Sequence, residues 1–262
     1  VENKYMTRFI REGRFGPPKS FKTGAVVGTY PRPLLVLSFD VGGTDIIREP
    51  ITFIPHNELN AVCALPSDKI SPLSVVDLSS LNNQALTSAY QPVPDTTTFP
   101  ATISCVNALT NRCPWKTVVI DTVTGLSDCI WGHQSATNAP ALADPRKWAG
   151  NIGMKVKQVI DRTNQIQAHT VFIFHSEVIK DETTSAIGEQ PMVYSKLRDC
   201  IGGLFSQFFY AFTDVSTKGQ PQAWVRTQPF GLIKGIGVRW PADLPNVCGA
   251  TFQAIYGKSN VV

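Results

Sequence analysis

Three short apolar runs, each closed by a polar residue, constrain this chain more than any other feature. PLLVLSFD ends at Asp40, KTVVID at Asp121 and HTVFIFH at His175. They are rich in β-branched residues and apolar on both faces, as strands of a parallel sheet covered on each side are. SVVDLSS, around Val75, Val76 and Leu78, reads as a fourth strand. Helical patterns separate the runs. One covers Ala101 to Cys113; another, Lys147 to Ala168, spaces Trp148, Ile152, Val156, Val159, Ile160 and Ile166 by mixed threes and fours. A third, Ser195 to Ser206, carries Leu197, Ile201, Leu204 and Phe205 on one face. Strands alternating with helices predict an α/β layered domain.

The last part of the chain changes character. FFYAF, AWVRT and GLIKGIGVRW, punctuated by Gly and Pro, predict short antiparallel strands added to the sheet edge. Loops are expected near 92–100 and 176–195. No repeat or low-complexity tract interrupts the 262 residues, so a single domain over 1–262 is expected.

Composition removes several function classes. With 43% hydrophobic and 17% charged residues the chain can bury a sizeable core, which excludes a disordered tail. A net charge of +4 tolerates a polyanionic partner without demanding one. The six cysteines show no C-x-x-C and no close pairing with histidine, so neither a structural metal nor a disulfide framework is expected, and the thiols read as reduced. No apolar run approaches the ~20 residues that span a bilayer. Charges run through VENKYMTRFIREGRFG, which does not read as a secretory signal, and a cytoplasmic protein is the expectation.

GPPKSFKT, Gly16 to Thr23, is close to a phosphate-binding loop. That pattern sets a glycine, four free positions, then Gly-Lys-Ser/Thr, so that backbone N–H groups curl round an anion at a helix N-terminus. Gly16, Lys22 and Thr23 stand where it requires them; Pro17, Pro18, Lys19 and Ser20 fill the loop, and Gly24 follows in the expected helix. Phe21 replaces the second glycine at a position that favours positive φ, at a cost of ~1–2 kcal/mol. A stiff surface turn with solvated lysines is the plainer alternative. Lys22 would reach the terminal phosphates and Thr23 would hold Mg²⁺, which calls for a second acid at the end of a neighbouring buried strand. Asp121 meets that need, with Thr122, Thr124 and Gly125 as its exit loop, and Asp40 offers another carboxylate at the same edge. Ligands of parallel α/β sheets bind at the carboxyl ends of strands.

Taken in order, GPPKSFKT, LLVLSFDVGG, TVVIDTVTGL, TVFIFHSEVIKDE and QPMVYSKLRDCIGGLFSQFFYAF resemble the phage-type RecA-core ATPases, short AAA-like ATP-binding proteins that include single-strand annealing ATPases. The resemblance runs from about Gly16 to Arg239. It implies a RecA-like P-loop NTPase core, ATP and Mg²⁺ as cofactors, and catalytic roles for Lys22, Asp40, Asp121 and His175. Asp40 stands where such proteins carry the acid that polarises the attacking water. His175 would sense the γ-phosphate and pass its state to Ser176–Pro191, the segment that contacts single-stranded DNA in RecA-like proteins. Asp181, Glu182 and Glu189 make this segment acidic, so Lys196 and Arg198 join Lys180 as DNA-binding candidates. Nucleotide shared between subunits implies a homo-oligomeric ring or filament, with Arg226, Lys234 or Arg239 acting in trans.

The leading expectation is therefore an ATPase acting on single-stranded DNA in phage recombination, annealing or replication. It would work in the host cytoplasm, beside a phage single-strand binding or replication protein. An ATPase that loads or remodels a protein partner is one alternative; a non-hydrolysing structural or interaction module is the other, with Phe21 and the weak lead-in strand before Gly16 as its support.

Overall fold

A strand carrying three charges lies inside the sheet. The computed structural model describes residues 9–79, 96–137, 145–180, 182, 185, 187–194, 197–215, 219–233, 235–239 and 244–257, with backbone alone at 145–150. In it Arg11–Gly16 (REGRFG) forms β1. Strand alternation sends Gly13 and Phe15 to one face and Glu12 and Arg14 to the other. Both charged side chains are fully buried. Arg14 pairs with Glu12 and donates to Ala250 O at 2.7 Å and to the Tyr30 hydroxyl at 2.5 Å. The hydroxyls of Tyr30 and Tyr256 in turn donate to Glu12 Oε2. An unpaired buried charge costs several kcal/mol, so this closed network is what lets a charged strand sit in the interior.

Around β1 the sheet is parallel. β6 (His169–Lys180) pairs with it on one side and β8 (Gln207–Val215) on the other. Beyond β6 follow β5 (Thr117–Asp121), β2 (Leu34–Ser38), β4 (Leu73–Asp77) and the short β3 (Thr52–Phe53), all parallel. Beyond β8, β9 (Pro221–Arg226) and then β11 (Val247–Gly249) pair antiparallel, and β10 (Gly237–Val238) adds antiparallel to β8. One strand, β6, thus separates the loop-bearing β1 from the Asp121 strand. The mixed α/β architecture, mostly parallel with antiparallel C-terminal strands, is the one expected.

Helices cover both faces. α2 (Leu59–Cys63), α3 (Thr98–Asn111), α4 (Val123–Thr137) and α5 (Pro145–Thr163) pack Leu59, Leu109, Leu126 and Val156 with Leu35, Leu37, Ile120 and Phe172. α1 (Lys22–Thr29) and α7 (Phe252–Tyr256) pack Val26, Val27 and Ile255 with Val36, Val119 and Val171. Leu34 to Leu37 are each fully buried, alternately to the two faces. Burial of such a side chain contributes ~1.5–3 kcal/mol, enough to hold five-residue strands in place.

Several boundaries differ from expectation. β6 continues past His175 to Lys180 because β7 (Ile187–Pro191) pairs antiparallel with its far end, so much of the expected acidic loop is a hairpin. The exit loop after Asp121 is one residue, Thr122, before α4 begins. α5 ends at Thr163, five residues early. The 195–206 helix reduces to α6 (Leu197–Cys200) and a 3-10 turn, Ile201–Leu204; positions 195 and 196 lie outside the described residues. Among the described residues of GLIKGIGVRW, Gly237–Val238 forms the one strand, β10, while Gly231 and Gly235 take positive φ. Of the loop expected at 92–100, positions 92–95 lie outside the described residues and α3 starts at Thr98.

Candidate functional site

Strands β1, β5 and β2 end near the level of His175, where β6 runs on. In register, Gly16 of β1 lies beside His175 of β6, Ile173 of β6 beside Asp121 of β5, and Asp121 beside Ser38 of β2, two residues before Asp40. With ~4.8 Å between strands and a two-residue offset of ~6.6 Å along β6, Gly16 and Asp121 stand ~12 Å apart. Helix α1 bridges that gap: Thr23 Oγ1 donates to Asp121 Oδ2 at 2.9 Å.

The loop is tight and strained. A Cβ on Gly16 would fall 2.1 Å from Ala211 O, so β8 requires glycine there. Ser20 Oγ donates to Pro17 O at 2.9 Å and closes the Pro17-Pro18 bend, from which Pro18 and Lys19 project into solvent. Lys19 and Phe21 have φ of 64° and 57°. Phe21 therefore occupies the left-handed conformation that its position requires, with its side chain half exposed. It provides no side-chain cap for α1, whose first N–H groups point into the loop. Gly24 sits in the first turn.

Lys22 is buried and folded back. Its Nζ donates to Gly16 O at 2.9 Å, Pro17 O at 2.8 Å and Ser20 Oγ at 3.1 Å. Burial brings its ammonium down to about 8, against the upward pull of Asp121, Asp40 and Glu189. Asp121 shows the reverse effect: burial pushes its carboxyl up to about 7, although the Thr23 hydroxyl favours the ionised form. A buried carboxyl beside a threonine hydroxyl is a hard oxygen donor set, suited to Mg²⁺ completed by phosphate and water oxygens. Among the described residues no three His, Cys, Asp or Glu side chains gather to hold a metal by themselves.

Asp40 and His175 form a second group. His175 Nε2 lies 2.9 Å from Asp40 Oδ2, and Thr122 Oγ1 donates to Asp40 Oδ1 at 2.9 Å. Thr122 Oγ1 also accepts from Gly125 N at 3.0 Å, so the residue that caps α4 fixes Asp40 as well. A Cβ on Gly125 would meet Asp40 Oδ1 at 2.6 Å, so this approach depends on glycine. The backbone of His175 is tied to Thr124 Oγ1, which donates in turn to Met192 O. Sequence reasoning missed these threonine roles, although a threonine ahead of an apolar stretch is a helix-start signal. It also missed Glu189 as a site residue. Held by Ser176 and by the Tyr210 hydroxyl at 3.0 Å, Glu189 places a carboxylate within electrostatic reach of Lys22.

The remaining candidates do not join this cluster through any hydrogen bond or ion pair among the described residues. Lys180 is exposed at the far end of β6. Arg198, the DNA-binding candidate, pairs with Glu177 at 2.9 Å because the extended hairpin brings that acid to α6. Arg226 lies over the rings of Phe212 and Phe230, at 5.3 and 4.3 Å. Arg239 donates to Gly203 O at 3.2 Å. Lys196 and Lys234 lie outside the described residues.

No protein-family model matches the chain, and no curated protein matches it. Among solved structures it is similar to a KaiC-like protein from the hyperthermophilic archaeon Pyrococcus horikoshii OT3. The TM-score is 0.39 and the identity 10%, over 83% of this chain and 78% of that one. Likeness at this level assigns no chemistry; the site stands on its own geometry.

Proposed function

We propose that the chain binds ATP with Mg²⁺ at the Gly16–Thr23 loop, hydrolyses it, and uses it to control a grip on single-stranded DNA. The observation that carries the nucleotide reading is the Thr23–Asp121 hydrogen bond, which joins the loop helix to the second acid across an intervening strand. Loop N–H groups and Lys22 receive the phosphates, Lys22 exchanging neutral carbonyl partners for charge-assisted bonds. Thr23 and Asp121 hold Mg²⁺, which when bound neutralises charge building on the phosphates. Asp40, fixed by Thr122 and His175, orients the attacking water for in-line displacement. His175 reports the γ-phosphate to the β6–β7 hairpin, which begins at the next residue of β6.

The phage setting, a homo-oligomeric ring or filament, and a basic residue acting in trans belong to the same proposal. A protein partner is the second reading. It is favoured by the Arg198–Glu177 pair, which neutralises a cation otherwise available to DNA phosphates. No helix among the described residues is long and apolar enough to cross a membrane. The test of the DNA reading is filter binding to single strands with and without ATP. An affinity that changes with ATP supports coupling; identical affinities refute it.

A further inference from the structure

A cavity of about 730 Å³ opens beside the loop, between the start of α1, the 45–48 turn and β9. Phe21 and Gly24 form its loop side, Trp224 and Gln222 its β9 side, and Asp45 and Arg48 its rim. Its size falls within the range of small-molecule sites, ~300–1,000 Å³, and two aromatic residues with a few polar groups are the lining such sites use. The phosphate chemistry above employs none of these side chains.

Phe21 connects cavity and loop. Its backbone holds the left-handed conformation at the last position before Lys22, and its side chain, 48% exposed, lines the cavity. A half-exposed phenylalanine in a strained conformation adds nothing to the core. It does present a flat apolar surface one residue from the phosphate-binding lysine. An open wall supports it: a Cβ at Gly24 would meet only Ile46 Cδ1, at 3.9 Å.

We infer that this cavity holds the base and ribose of the nucleotide whose phosphates lie on the Gly16–Thr23 loop, and that the Phe21 ring is a stacking surface for the base. The inference rests on the phosphate-loop reading and adds a specificity residue to it. Phe21 is then an exchange of loop ease for base contact. For a loop that keeps this conformation when ligand binds, relief of the strain changes stability and leaves affinity untouched, so the lost ring is what changes affinity. Aromatic stacking of ~1–3 kcal/mol per base corresponds to roughly 5- to 150-fold in binding.

Calorimetric titration of the full chain with Mg²⁺-ATP and with Mg²⁺-tripolyphosphate tests this, using wild type, Phe21→Gly and Phe21→Leu. Phe21→Leu keeps an apolar side chain without a planar ring. The expected result is that wild type prefers ATP, and that both variants bind ATP about tenfold or more weakly while binding tripolyphosphate as wild type does. If ATP affinity stays unchanged in both variants, or both ligands weaken in parallel, the stacking role is overturned and the loop reading stands. If wild type binds neither ligand, the loop reading itself is overturned, and this inference with it.

Discussion

Replacing Asp121 by asparagine should change how stability depends on pH. The carboxyl is buried and its folded-state pKa is raised from 3.8 to about 7, burial being the main cause. At about 1.4 kcal/mol per pH unit, the ionised form costs the folded state ~4 kcal/mol. Below pH 3.8 both states hold the proton and nothing is lost. Between there and about pH 7 the unfolded chain releases the proton while the folded chain keeps it, so stability falls as pH rises. Above pH 7 the full cost is in place. Asparagine can still accept the Thr23 hydroxyl bond but has no charge to bury. The stability difference, variant minus wild type, should therefore be about 2–3 kcal/mol larger at pH 8 than at pH 5; taking the difference between pH values cancels the packing of the new amide. Urea denaturation of both proteins in a metal chelator reads this directly. A difference independent of pH would show that Asp121 ionises normally in the fold and would remove the electrostatic basis of the proposed cation site.

Arg14→Met leaves Glu12 charged and buried and should cost ~3–5 kcal/mol, whereas Arg14→Met with Glu12→Leu should cost much less; urea denaturation of single and double variants separates the two. Gly16→Ala drives a Cβ to 2.1 Å from Ala211 O, so the β1–β8 edge must open, and thermal unfolding should show a clearly lowered Tm. If DNA binds along the hairpin, Lys180→Glu should weaken single-strand affinity and its salt dependence more than Arg198→Glu, because Glu177 already neutralises Arg198.

The parallel strands were legible because β2, β4, β5 and the first half of β6 are buried on both faces, and burial on both faces leaves an apolar run in the sequence. β1 was not, because its interior charges are answered from far along the chain, at Tyr30, Ala250 and Tyr256. α4 was hidden by the polar TVTG start, which reads equally as a loop until its threonine is seen to cap a helix. Within the site, Lys22, Thr23 and Asp121 could be named from spacing, and the positive φ at position 21 follows from the loop pattern. The positions of Arg198 and Glu189 could not, since they depend on how far β6 continues and which strand folds back on it. Pattern reports what each segment buries, whereas the partners of charged groups are set by topology.

The most direct test of the account is steady-state ATP hydrolysis with and without single-stranded DNA, with Lys22→Ala as the control. The account predicts turnover that DNA stimulates and that the variant abolishes. Turnover in wild type no greater than in Lys22→Ala would contradict it.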